Sequence, residues 1–138
     1  MDIHTKDQRS YNMSRIRSQE TQPEIIVRKY LFSQGFRYRK NVRNLPGKPD
    51  IVLPKYRTVI FVNGCFWHGH EGCSKFVRPK TNAEFWSNKI LANKERDKRS
   101  YTLLDKLGWK VIIVWECQLS LSNRKETLEA IKSEILNA

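Results

Sequence analysis

The stretch Thr58-Val-Ile-Phe-Val-Asn-Gly-Cys-Phe-Trp-His-Gly-His-Glu-Gly-Cys73 decides how the rest of the chain is read. Its first half is an apolar, β-branched run, the composition of a strand buried on both faces. Its second half holds two of the three cysteines, two of the three histidines and two adjacent aromatics. The pattern is that of a core strand delivering reactive side chains to its own C-terminal end.

Working outward, Trp109-Lys-Val-Ile-Ile-Val-Trp115 reads as a second core strand, with Glu116 and Cys117 at its end. Asp50-Ile-Val-Leu is a short strand stopped by Pro54, and Phe36 to Lys40 alternates with the period of a half-exposed strand. Thr21-Gln-Pro-Glu24 predicts a capping box in which Thr21 caps a helix and Glu24 reaches back to its amide. Ile26, Val27, Tyr30 and Leu31 form that helix's apolar face, and Gly35 ends it. Thr81-Asn-Ala-Glu84 predicts a second capping box, opening a long helix that runs through Phe85, Trp86, Ile90, Tyr101, Leu104 and Leu107 to Gly108. Its middle, Asn93 to Arg99, is charged and reads mostly as a solvated face. A last helix over 125–136 carries an apolar stripe at Leu128, Ile131 and Ile135. The order α-β-β-β-α-β-α predicts an α/β fold, a mixed sheet flanked by helices. Residues 1–20 lack an apolar period and read as an N-terminal arm; residues 21–138 read as one domain.

The chain carries 26 Lys and Arg against 14 Asp and Glu, a net charge of +12. That sign points to a polyanion, most simply nucleic acid, since aromatics are mixed with the basic residues. A lipid surface fits less well, because no basic amphipathic helix stands out. No apolar run is long enough to cross a bilayer, so no membrane partner is expected. The N-terminus is polar, without the apolar core of a signal peptide, which points to the cytoplasm. Three cysteines cannot all pair, and a reducing compartment disfavours disulfides; clustered cysteines there read as metal ligands.

Cys65, His70 and Cys73 follow a C-x4-H-x2-C spacing, and Cys117 ends the other strong strand. If the two strands are neighbours, all four converge, and thiolates with one imidazole make a structural zinc site. The plainer alternative is small buried residues and loop polars. Asp50 begins a strand after Pro49, and a strand-borne carboxylate beside a core hairpin can hold Mg²⁺ and a phosphate. A Pro-Asp pair by itself is commonly only a turn or strand start.

Taken together, Arg9-Ser-Tyr-Asn-Met-Ser-Arg-Ile, Thr21-Gln-Pro-Glu, Leu-Pro-Gly-Lys-Pro-Asp50, Val-Ile-Phe-Val-Asn-Gly-Cys-Phe-Trp-His-Gly-His, Glu84-Phe-Trp and Gly108-Trp…Val-Trp-Glu-Cys117 resemble the very short patch repair (Vsr) mismatch endonucleases. The resemblance runs nearly end to end, in order. It implies a restriction-endonuclease-like core of the PD-(D/E)xK superfamily, a structural zinc, and Mg²⁺-dependent nicking of one strand 5′ of the thymine in a T·G mismatch. By the same resemblance Asp50 and the Val62 carbonyl hold Mg²⁺, His68 does general acid/base work on the attacking water, and Glu24 is the helix glutamate of the active site. Cys65, His70, Cys73 and Cys117 match the zinc ligands. Phe66, Trp67 and Trp86 match aromatics that enter the DNA stack, and Met13 and Ile16 match arm residues that contact DNA from the other groove. The implied partner is double-stranded DNA with a T·G mismatch, met by a monomer. A functional link to a cytosine-5 methyltransferase and to mismatch-repair proteins follows, through repair of deaminated 5-methylcytosine.

The chain departs from the family's best-known pattern in two places. The loop between His70 and Cys73 is one residue longer, and Val62-Asn63 stands where the pattern has Thr-His. Asn63 joins the candidate catalytic residues as a group that can orient water but cannot take a proton as imidazole does. Two other readings stay open on sequence: a restriction-type nuclease on the same fold, and a mismatch-binding module with weak catalysis.

Overall fold

Six consecutive buried residues, Thr58–Asn63, form the strand around which the molecule is layered. The structure is a computed structural model, and it describes residues 21–40, 42–66, 68–70, 73 and 81–137. Within these, α1 spans Gln22–Ser33, β1 Arg39–Lys40, β2 Ile51–Leu53, β3 Thr58–Asn63, α2 Ala83–Lys106, β4 Lys110–Trp115 and α3 Arg124–Leu136. The expected element order holds. The arm residues Met13 and Ile16, and Trp67 in the loop after β3, lie outside the described residues.

The sheet has four strands in the order β1-β2-β3-β4. β1 with β2 and β2 with β3 are antiparallel, and β3 with β4 is parallel. β3 is therefore internal, and α2 makes the long crossover that a parallel neighbour requires. Alternation along the strands sends side chains to two faces. Ile51, Leu53, Ile60, Val62, Ile112 and Val114 pack with Val27 and Leu31 of α1 and with Leu128, Ile131 and Ile135 of α3. Val52, Val59 and Phe61 pack instead with Leu104 of α2. Each such apolar side chain taken out of water contributes about 1.5–3 kcal/mol, so the two layers fix which face of β3 each residue presents.

The predicted strand over 36–40 shortens to Arg39–Lys40, although Phe36 keeps its buried side. Neither predicted capping box forms. Thr21 occupies the N-cap of α1 without a side-chain cap bond. Glu24 is buried and its carboxyl is engaged with Asp50. The N-cap of α2 is Asn82, one residue later than expected and in the left-handed region, again without a side-chain cap bond. The C-terminus of α2 ends as expected, with Gly108 at φ +89. Arg57 secures that end: its guanidinium donates to the Leu107 carbonyl at 3.0 Å and lies 4.3 Å over the Trp109 ring. No described helix is long and apolar enough to cross a membrane.

Candidate active site and metal cluster

The end of β3 is where the sheet's two pairing senses meet. Because β2 runs antiparallel, its beginning lies beside the end of β3, which brings Asp50 there. Because β4 runs parallel, its end lies there too, which brings Trp115 to Cys117. The loop after β3 then has neighbours on both sides.

Asp50 is tied to β3 twice. Its amide donates to the Ile60 carbonyl at 3.1 Å, and its Oδ2 accepts the Val62 N–H at 2.6 Å. N–H and C=O of a strand residue point to the same side, so the Val62 carbonyl faces the same edge as Asp50. Burial, and then the adjacent Glu24 carboxylate, push the Asp50 carboxyl up to about 7, against the opposing pull of the Val62 N–H and Arg28. Glu24 and Arg28 are both buried on α1. Two carboxyl groups crowded at a strand edge with a backbone oxygen are a donor set suited to a hard divalent cation, which would relieve their repulsion.

Asn63 is buried and faces α2, where its Nδ2 donates to the Tyr101 hydroxyl at 2.9 Å. The Tyr101 ring meets Phe61 edge to face at 4.9 Å between centroids. Burial, more than any neighbour, pushes the Tyr101 phenol up to about 12.

His68 lies on the same side. Its Nδ1 is 2.5 Å from Asp97 Oδ2 on α2. An Asp97 carboxylate accepts the Nδ1 proton, which leaves Nε2 as the free base. An extended segment would part His68 from His70 by alternation, but the loop is not extended. It is wound tightly, with His68 N–H donating to Gly64 and His70 N–H to Cys65. Gly69, at φ +63, turns the chain between the two rings.

His70 stacks on Trp115 at 4.1 Å with planes 5° apart, and its Nδ1 is 3.5 Å from Cys117 Sγ. Ligand atoms of Cys65, His70, Cys73 and Cys117 all lie within 4.8 Å of one another. The convergence expected of neighbouring strands is met. Glu116 adds a support, accepting the Cys65 N–H at 3.2 Å. Burial pushes the Cys65 thiol up to about 12 and raises that of Cys117. Thiols that resist ionising alone, gathered with an imidazole, form a closed set that can hold a thiophilic metal ion.

Phe66 and Trp86 meet at 5.6 Å, and Phe85 joins Trp86 at 5.3 Å. Phe85 is 59% exposed, so an aromatic cluster stands at the surface beside the loop. Sequence reading missed Asp97, Tyr101, Trp115 and Phe85 as site residues. The spacing of Asp97 and Tyr101, one helical turn apart on one face, was the available signal.

A sequence model of the DNA mismatch endonuclease Vsr family matches residues 1–75. The Type II nicking enzyme V.NmeAIP of Neisseria meningitidis serogroup A is 53% identical over 138 residues, covering 99% of this chain and 98% of its own. The chain belongs to the Vsr family of DNA mismatch endonucleases. Escherichia coli K12 Vsr is 45% identical over 134 residues, 97% of this chain and 85% of the relative. The Type II nicking enzyme V.XorIIP of Xanthomonas oryzae pv. oryzae is 49% identical over 114 residues, 83% of each. In this Vsr-family chain the site lies where the two senses of strand pairing meet.

Proposed function

We propose that this mismatch endonuclease nicks one strand of double-stranded DNA 5′ of the thymine in a T·G mismatch, with Mg²⁺ at Asp50 and the Val62 carbonyl and a structural zinc at Cys65, His70, Cys73 and Cys117. The observation that carries the reading is the gathering, at one strand end, of a carboxylate pair, a histidine held by a carboxylate and an exposed aromatic cluster.

Each group has a task in hydrolysis. Mg²⁺, when bound, supplies positive charge to the phosphate and to the developing leaving oxygen. Asp50 and the Val62 carbonyl hold the reacting phosphate's side of the site; Glu24 stands behind Asp50. His68 takes a proton from the attacking water at Nε2, and Asp97 holds the ring and stabilises the imidazolium that forms. Asn63 is not needed as a proton carrier in this scheme, because His68 and Asp97 complete the base. This favours hydrolysis over a module that only binds. Phe66, Trp86 and, from its place in sequence, Trp67 enter the stack, where unstacking a wobble pair costs less than unstacking a matched one. That favours a mismatch over an intact restriction site. The mixed sheet is assigned to a restriction-endonuclease-like core, residues 1–20 to a DNA-contacting arm, and the protein to a monomer in repair of deaminated 5-methylcytosine.

The test is a strand-resolved cleavage assay on end-labelled T·G and matched duplexes, with and without Mg²⁺, on protein of measured metal content. Expected are one Mg²⁺-dependent nick on the thymine strand, none on matched DNA, and one zinc per chain. Cleavage of both strands of matched DNA would favour a restriction-type enzyme. Mismatch binding without any cleavage would leave only a binding module, and active protein without zinc would overturn the metal assignment.

A further inference from the structure

We propose that Tyr101 is a further catalytic residue, whose phenolic O–H donates to a non-bridging oxygen of the scissile phosphate while Asn63 holds the hydroxyl in place. The proposal rests on the nuclease reading above and adds a substrate contact to it.

Four observations converge on the phenol. Asn63 Nδ2 donates to Tyr101 Oη at 2.9 Å, so the hydroxyl oxygen is already an acceptor. A phenol has one proton to give, and among the described residues none accepts it. The edge contact with Phe61 at 4.9 Å restricts the ring, so the position of the hydroxyl is set by the fold. Asn63 itself is buried at the end of β3 and cannot swing away.

The placement is as informative. Tyr101 follows Asp97 by one turn of α2, so the two side chains share a helical face. Asp97 holds His68. Asp50 and Asp97 both act electrostatically on the phenol, opposed by Arg96, so the hydroxyl lies within electrostatic reach of the carboxylate edge and of the residue that holds the general base. Carboxylates and the Arg96 cation share this region, so a phosphate oxygen there needs a donor aimed at it and not only a change of net charge. A neutral donor there gives a phosphate oxygen a partner without adding charge, and it keeps its proton at neutral pH. Donors fixed before the reaction act most strongly on charge that grows during it. Asn63 thereby gains a role of its own as the positioning residue for the Tyr101 hydroxyl.

Single-turnover nicking of a T·G duplex by wild type and Tyr101→Phe tests this, with the scissile phosphate as the oxygen form and as each phosphorothioate diastereomer. The variant keeps the ring against Phe61, and its thermal midpoint and zinc content report an intact fold. Expected is a rate loss of about tenfold to a hundredfold, the worth of a hydrogen bond to a charged group, with mismatch affinity unchanged. Mg²⁺ discriminates the diastereomers in both proteins, so the readout is the ratio of the two diastereomers' rates, which should differ between Tyr101→Phe and wild type because only one non-bridging oxygen loses the phenol. If Asn63 instead accepts the phenol's proton through Oδ1, the proton is consumed within the protein and the variant will nick at the wild-type rate, which overturns the proposal. A slower variant whose diastereomer rate ratio equals that of wild type overturns it equally. Wild type that fails to nick the T·G duplex at all fails the functional reading first, so the two failures are distinct.

Discussion

Asp50 shows how a single residue's chemistry is set by its surroundings. Its type and its place after Pro49 were legible; its partner was not. Glu24 looked like half of a capping box because the local pattern was complete, but its burial beside Asp50 gives its carboxyl another use. The raised Asp50 pKa has a stability consequence. Unfolded, the group ionises near 3.8, and folded near 7. Below 3.8 it is protonated in both states, and its contribution to stability is fully present. As pH rises through about 7, the unfolded chain releases the proton first, so that contribution is lost. In Mg²⁺-free buffer, wild type should therefore lose stability relative to Asp50→Asn between pH 4 and pH 7, roughly the window set by the two pKa values. Mg²⁺ added at neutral pH should recover the loss. Denaturant midpoints of both proteins across pH, with and without Mg²⁺, check this; parallel curves would mean that the Asp50 carboxyl is not raised, and no recovery by Mg²⁺ would remove Asp50 from the metal site.

At the scale of elements, the strands were the most legible part. The run from Thr58 to Asn63 was bounded correctly because β-branched composition and the following glycine agree. The inner face of α2 was not legible. Asn93 to Arg99 is so charged that periodicity reads it as solvated, and only the docked loop shows Asp97 turned to His68. Gly69 is the hinge of that docking. A Cβ there would stand 2.7 Å from Ile90 Cγ2 and 2.8 Å from Lys94 Cδ, and φ +63 is costly for any L side chain. Gly69→Ala should destabilise the protein by about 2 kcal/mol or more. It should also slow nicking more than the lost stability explains, because His68 moves off Asp97. Thermal unfolding and single-turnover rates, compared with Gly35→Ala, check this. Gly35 has a similarly positive φ but nothing within 4 Å of its Cβ position, so it isolates backbone strain from the clash.

For the whole molecule, the topology followed from chemistry as much as from hydropathy. Two apolar strands each ending in candidate ligands have to be neighbours if the ligands meet, and β3 and β4 pair along their full lengths. The antiparallel return of β2 is announced by its short link to β3, residues 54–57, which is too short for the crossover that a parallel pair requires. The same return makes the site: without it Asp50 would sit at the opposite end of the sheet from His68. The net charge of +12 fits a polyanionic partner, and the fold gathers aromatics and carboxylates near one end of β3.

The order of the metal ligands along the chain bears on how the molecule assembles. Cys65, His70 and Cys73 belong to one short loop, whereas Cys117 arrives only after α2 and β4. A short loop closes in about 10–100 ns, and closing roughly fifty residues costs more chain entropy and waits on the crossover. On the proposed zinc assignment, a nascent chain gathers the ion on three ligands early and completes the fourth only when β4 has reached its place beside β3. Such a metal would work as a checkpoint on strand order, since a chain with β4 undocked would keep an open coordination position. Stopped-flow refolding should show zinc uptake ahead of β4 docking, at the same rate in Cys117→Ser as in wild type. Uptake that waits for docking would mean that the sheet builds the metal site and not the reverse.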